Sequence, residues 1–115
     1  MTIDQTFPRS ARLTSPDDFK TVFKNANRLN FKEFTVYVLQ NNRPESRLGL
    51  AISKKSAKKA VSRNLIKRII RDSFRKRRNK LKGWDIVFVS RVAAVKMTNS
   101  ELEVLTVKVW KRLES

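Results

Sequence analysis

Arg47-Leu48-Gly49-Leu50-Ala51-Ile52-Ser53-Lys54-Lys55 leads, after a few polar residues, into Ala60-Val61-Ser62-Arg63-Asn64-Leu65-Ile66-Lys67-Arg68-Ile69-Ile70-Arg71-Asp72-Ser73-Phe74-Arg75. The segment changes period half-way. In its first part Leu48, Leu50 and Ile52 alternate with Gly49, Ala51 and Ser53, giving a strand with one apolar face and one unusually small face. The second part has a helical period. At about 100° per residue from Val61, the apolar Val61, Leu65, Ile66, Ile69, Ile70 and Phe74 span roughly 0° to 220°. Arg63, Lys67, Arg71, Arg75 and Arg78 span roughly 200° to 320°, with Asn64 among them and Arg68 near roughly 340°. A strand from Arg47 to Ser53 is therefore expected, then a long helix from Ala57 or Val61 to Arg78. The helix has an apolar face for a core and a cationic face outside.

Upstream, Ser15-Pro16-Asp17-Asp18 reads as a helix start. Ser15 suits the cap, Pro16 the first helical position, and the two acids the positive end of the helix dipole. Phe19, Val22, Phe23 and Ala26 follow at helical spacing, and the helix should fade by Asn27. Residues 33–40 alternate, with Phe34, Val36 and Val38 on one side and Thr35, Tyr37 and Leu39 on the other. Gln40 to Ser46 is loop-like, so the strands on either side should form an antiparallel hairpin. Downstream, Asp85 to Arg91 has the apolar run of a buried strand. Ser100-Glu101-Leu102-Glu103 fits a capping box, and Leu102, Leu105, Val109 and Leu113 continue a final helix. The order expected is αββαβα, one small α+β domain spanning 1–115, with residues 1–12 extended or flexible.

The chain has 115 residues, 27 Lys plus Arg, 10 Asp plus Glu, and neither His nor Cys, for a formal net charge of +17. Without Cys there is no disulfide framework, thiolate metal site or cysteine nucleophile. Without His the commonest general base near neutral pH is missing. No apolar run is long enough to span a bilayer, and Met1-Thr2-Ile3-Asp4-Gln5 lacks the form of a signal peptide, so a cytoplasmic location is expected. Residues 54–82 hold fourteen basic residues and one acid, Asp72, a net charge of +13. The other 86 residues hold 13 basic and 9 acidic groups, net +4.

Arg63, Lys67, Arg71 and Arg75 stack at i, i+4, i+8 and i+12. Like charges at that spacing each cost a few tenths of a kcal/mol in an isolated helix, and no acid is interleaved to relieve them. A merely solvated face or a membrane-surface helix would also carry cations. The retained repulsion favours a polyanion, and nucleic acid first. Neither a turn-helix reader nor a zinc site is present, which points to RNA rather than DNA. Phe19 and Phe23 have the spacing of core residues, yet with Tyr37 they could instead border a stacking platform opposite Gly49, Ala51 and Ser53. The acids are scattered. They offer no carboxylate cluster for metal-assisted hydrolysis, so no catalytic or metal-binding residue is expected.

The segment closely resembles the bacterial ribonuclease P protein component family, whose motif helix has the form R-N-R-x-K-R-x-x-R and is preceded by G-L-x-x-S-K-K. Gly49-Leu50-Ala51-Ile52-Ser53-Lys54-Lys55 and Arg63 to Arg71 carry that pattern. The resemblance continues in Arg12-Leu13 with Phe19 and Phe23, in Asp85-Ile86-Val87-Phe88-Val89 and in Leu102 to Leu113. It implies an αββαβα fold with an unusual left-handed βαβ crossover, against the general rule. It further implies a partnership with a large catalytic RNA. Together they would remove the 5′ leader of precursor tRNA, with Mg²⁺ held mainly by the RNA and substrate. The RNA-binding positions would be Arg63, Asn64, Lys67, Arg68, Arg71 and Arg75, with Lys54 and Lys55. A leader cleft would fall on Phe19, Phe23, Tyr37 and Ser53, against the core reading of the two Phe. Leu65 stands where the family has Arg and is not counted as a site residue. The rival reading is a structural RNA-binding protein, such as a ribosomal protein, which shares the charge but does not require the aromatic cleft.

Overall fold

A computed structural model describes residues 11–55 and 57–114. Helix α1 spans Pro16–Asn25, strand β1 Asn27–Asn30, β2 Phe34–Gln40 and β3 Arg47–Ala51. Helix α2 spans Ala60–Arg77, strand β4 Trp84–Ser90, a 3₁₀ turn Val92–Lys96, and helix α3 Asn99–Leu113. The order is αβββαβα, one strand more than expected. The sheet order is β1-β2-β4-β3; β4 runs antiparallel to β2 and parallel to β3.

The expected β2–β3 hairpin is therefore wrong. The hairpin is β1–β2, closed by a turn in which the Phe31 amide donates to the Phe34 carbonyl. β4 enters between β2 and β3. Its run Ile86-Val87-Phe88 is buried on both faces, a requirement that only a central position meets. The parallel β3–β4 pair then needs a crossover, and α2 supplies it. Local pattern does not reveal β1, because Asn27-Arg28-Leu29-Asn30 has a single apolar residue; as an exposed edge strand it is defined by its pairing with β2.

The two faces of the sheet carry separate cores. Phe34, Val36 and Val38 of β2, Leu48 of β3, and Ile86 and Phe88 of β4 pack under α2 and α3. Aromatic contacts join these elements: Phe34 to Phe88 at 5.8 Å, Phe88 to Trp110 at 5.6 Å and Phe74 to Trp110 at 5.7 Å between ring centroids. Each such pair adds about 0.5–1.5 kcal/mol beyond area burial. On the opposite face Leu13, Val22 and Val87 form a smaller cluster beneath α1, with Phe19, Tyr37, Leu39 and Val89 packed around it.

Hydrogen bonds fix these layers. The buried Asp85 accepts from Arg47 Nε at 2.9 Å, Arg47 Nη2 at 2.6 Å and Asn41 Nδ2 at 2.8 Å. Arg47 Nη1 reaches Asp18 on α1 at 3.4 Å. The hydrogen bonds to Asp85 raise the Arg47 guanidinium above its ordinary value, although burial opposes the shift. A cation with a raised pKa contributes its stability at every pH below its ordinary value, so Arg47 is a fixed charge. Between α2 and α3 the Trp110 indole donates to Ser73 Oγ at 2.8 Å, and Ser73 Oγ lies 2.7 Å from Thr106 Oγ1. Thr106 gives its own proton to the Glu103 carbonyl, so Ser73 is the donor to Thr106.

Two helix starts differ from expectation. Ser15 occupies the cap position of α1, with Pro16 and both Asp behind it, but its side chain makes no capping hydrogen bond. The capping box of α3 is Thr98 with Glu101, two residues earlier than Ser100 with Glu103. The Glu101 amide donates to Thr98 Oγ1 at 3.1 Å, and the Thr98 amide to Glu101 Oε1 at 2.9 Å. Of the N-terminal segment expected to be extended or flexible, residues 1–10 lie outside the described residues. Arg12 pairs in parallel with Leu48, and Leu13 donates to the Leu48 carbonyl, so this part of the chain prolongs the sheet at its β3 edge.

Candidate nucleic-acid interface

The core-facing line of α2 is Ile66, Ile70 and Phe74. These lie at about 140°, 180° and 220° on the helical wheel, so the buried direction centres on about 180° rather than mid-way through the apolar arc. Val61, at the opposite pole, is 78% exposed, and Leu65 is half-buried outside the core cluster. The cationic ridge thus borders the core directly. Arg63, Lys67 and Arg75 are half-buried, while Asn64, Arg68 and Arg71 are exposed.

The ridge divides along its length. Towards the C-terminal end, cations meet acids: Arg75 with Asp72 at 3.5 Å, Arg77 with Glu114 at 3.4 Å, and Arg78 with Glu45 at 3.4 Å. Among the described residues, Lys54, Lys55, Lys67, Arg68 and Arg71 have no ion pair. Arg63 is intermediate: its Nη1 donates to the Ala57 and Lys58 carbonyls, both at 2.9 Å, and so holds the loop that enters α2. The uncompensated charge of the ridge therefore lies in the loop and in the helix as far as Arg71. Lys54, Lys55 and Ser53 sit exposed in that loop, just beyond β3.

On the other face of the sheet, strand register sets out two rows. Gly49, Val87, Tyr37 and Arg28 are successive partners across β3, β4, β2 and β1. Ala51, Val89, Thr35 and Asn30 form the next row. Helix α1 lies over the first row. A Cβ on Gly49 would stand 3.0 Å from Leu13 Cβ and from the Phe19 ring, which explains the small face of β3. From Phe19 the rings step to Phe23 at 6.0 Å and on to Tyr37 at 4.8 Å, edge to face. Phe23 is 43% exposed; Phe19 and Tyr37 are half-buried. The core placement that spacing alone favours for the two Phe, and that the resemblance sets aside, holds only for the inner side of Phe19. The second row is a shallow trough beside α1: Ala51, Val89 and Thr35 are half-buried and Asn30 is exposed.

At the β3 edge the two candidate surfaces meet. A pocket of about 250 Å³ is lined by Phe19 from α1, Leu48 and Leu50 from β3, Lys67 and Arg71 from α2, and Arg12. The pocket offers an aromatic ring beside ammonium and guanidinium groups, the combination that binds a stacked base and its phosphate.

The family profile described as Ribonuclease P matches residues 7–114. The chain belongs to the ribonuclease P protein family. It is 43% identical over 115 residues to the ribonuclease P protein component of Thioalkalivibrio sulfidiphilus, covering 100% of this chain and 96% of that one. Identity to the component from Aliivibrio fischeri is 41% over 107 residues, covering 93% and 92%. The fold agrees with the Staphylococcus aureus RNase P protein at a TM-score of 0.81 and 28% identity, covering 91% of this chain and 98% of that one. Agreement with the Thermotoga maritima RNase P protein has a TM-score of 0.79 at 30% identity, with 90% and 98% covered. Four positions that the geometry brings to these candidate surfaces carry no local mark in the sequence. Arg12 reaches the pocket through a bridge to β3, and Arg28, Asn30 and Arg91 share the α1 face only through strand pairing. No local pattern marks them.

Proposed function

We propose that the chain, as a member of the ribonuclease P protein family, serves as the protein component of that tRNA-processing ribonucleoprotein. In this role it binds the catalytic RNA and the 5′ leader of precursor tRNA, and so assists Mg²⁺-dependent endonucleolytic removal of the leader in the cytoplasm. Lys54, Lys55, Asn64, Lys67, Arg68 and Arg71 supply phosphate contacts and electrostatic attraction, with Arg63 holding their loop. Arg75, tied to Asp72, contributes less. Phe19, Phe23 and Tyr37 stack leader bases above the trough, with Ser53 at its open end. The pocket where Phe19, Lys67 and Arg71 converge carries this reading, because it joins the cationic helix to the aromatic row.

The chemistry belongs to the RNA in this proposal. Asp18 and Asp85 are taken by Arg47, Asp72 by Arg75, Glu45 by Arg78, Glu114 by Arg77 and Glu101 by its helix cap. The described residues hold no cluster of acids that fits Mg²⁺. No step is therefore assigned to a protein-held metal. The test adds the protein to the catalytic RNA and precursor tRNA at low Mg²⁺ and near-physiological salt. Cleavage at the mature 5′ end should be faster than with RNA alone; an unchanged rate sinks the proposal.

A further inference from the structure

The aromatic row does not end at Tyr37. Arg28 lies directly opposite Tyr37 across the β1–β2 pair, and Asn30 opposite Thr35, so all four side chains share the α1 face. Arg91 follows Val89 by two residues and extends the same face beyond β4. Its Nε and Nη2 donate to Thr35 Oγ1 at 3.2 and 2.9 Å, and Nη2 also reaches Asn30 Oδ1 at 3.4 Å. Arg28, Asn30 and Arg91 are exposed.

We propose that Arg28, Asn30, Thr35 and Arg91 form a second subsite, at the β1 edge, for a phosphodiester of the single-stranded RNA that crosses the aromatic row. The proposal rests on the leader reading above and extends it. Three observations carry it. First, the charge is uncompensated: among the described residues neither Arg28 nor Arg91 has an ion pair, and the Arg28 side chain has no hydrogen-bond partner. Glu33 accepts from the Arg91 amide only through its backbone carbonyl, and with Met97 and Glu101 it lines grooves on the α3 side. Second, the donors are pre-oriented. Thr35 and Asn30 hold the Arg91 guanidinium while its Nη1 has no partner among the described residues. With Asn30 Oδ1 accepting from Arg91, the Asn30 amide nitrogen remains a donor. A mere staple between strands would need only a neutral donor, whereas a fixed guanidinium suits a phosphate. Third, the position is right. Thr35 is about 7 Å along β2 from Tyr37, and β1 is about 4.8 Å further across, within the reach of an extended nucleotide. Cations then bracket the rings at both sheet edges, Lys67 and Arg71 at β3 and Arg28 and Arg91 at β1, about 14 Å apart in strand spacing.

The test uses the holoenzyme and precursor tRNAs whose leaders lengthen one nucleotide at a time. Wild-type affinity should rise with leader length to a plateau. Arg28→Ala and Arg91→Gln, the latter keeping a donor towards Thr35, should plateau at a shorter leader. They should lose about threefold to tenfold affinity for the longer leaders only. Their salt slope on those substrates should fall by about 0.7 for each phosphate no longer neutralised. Tyr37→Ala should weaken every leader-bearing substrate. If both Arg variants match wild type at all lengths while Tyr37→Ala does not, the subsite is refuted and the leader reading stands. If the Arg variants weaken mature tRNA equally, they touch another part of the RNA and the subsite is again refuted. If Tyr37→Ala fails to separate leader-bearing from mature tRNA, the underlying reading falls and the subsite with it.

Discussion

Gly49 determines how closely α1 approaches the sheet. Its absent side chain is the space occupied by the edge of the Phe19 ring, 3.0 Å from where a Cβ would stand. Gly49→Val should therefore cost about 1–3 kcal/mol in stability through overpacking and lift Phe19 off the trough. Urea unfolding measures the first effect. The second should emerge as weaker binding of leader-bearing RNA with mature tRNA unaffected. Arg63 shows why a motif position is not automatically a pure RNA contact. Its Nη1 is engaged by the Ala57 and Lys58 carbonyls, so its removal would disturb the loop before α2 as well as remove charge. Lys67 and Arg71 lack such bonds and give cleaner tests. Either change to Ala should reduce the salt slope of RNA binding by about 0.7–0.9 per phosphate. Arg77→Ala, where the charge is already met by Glu114, should leave the slope unchanged.

At the scale of elements, packing between helices and strands depends on a few polar links. Arg47 joins α1 to β3 and β4 through Asp18 and Asp85. Arg47→Ala would leave Asp85 buried with Asn41 alone from this network, at a cost of about 3–5 kcal/mol by chemical unfolding. The α3 cap separates two readings of the same short sequence. Thr98→Ala should cost about 1 kcal/mol, while Ser100→Ala, on an exposed first-turn residue, should change stability by less than about 0.5 kcal/mol. Equal losses would contradict the Thr98–Glu101 box. The shift arose because Thr98-x-x-Glu101 and Ser100-x-x-Glu103 both fit the pattern, and only backbone geometry selects between them.

Across the whole molecule, charge is segregated. Acids are used within the fold, at Arg47, at the last turns of α2 and at the α3 cap, which leaves the entry loop, α2 as far as Arg71 and the β1 edge cationic. A net charge of +17 resists compaction, and salt screens that repulsion over about 10 Å at 0.1 M. The thermal unfolding midpoint of the free protein should thus rise with ionic strength, even as RNA binding weakens. A midpoint that falls or stays level would show that local ion pairs such as Arg47–Asp85 outweigh the global repulsion.

Local pattern by itself determined α1, β2, β3, α2, β4 and α3 to within a few residues, because amphipathic period and end signals act over short stretches. It also determined the cationic helix and the family, since Arg63, Asn64, Lys67, Arg68 and Arg71 lie close together in the chain. Tertiary structure decided everything that depends on pairing. β4 entered between β2 and β3 because a strand buried on both faces has no place at an edge. β1 exists only because β2 offers it hydrogen bonds. The burial of α2 turned towards Ile70, so Val61 became surface and the ridge came to border the core. Arg28, Asn30 and Arg91 became neighbours through register, a relation between distant segments that local periodicity cannot encode.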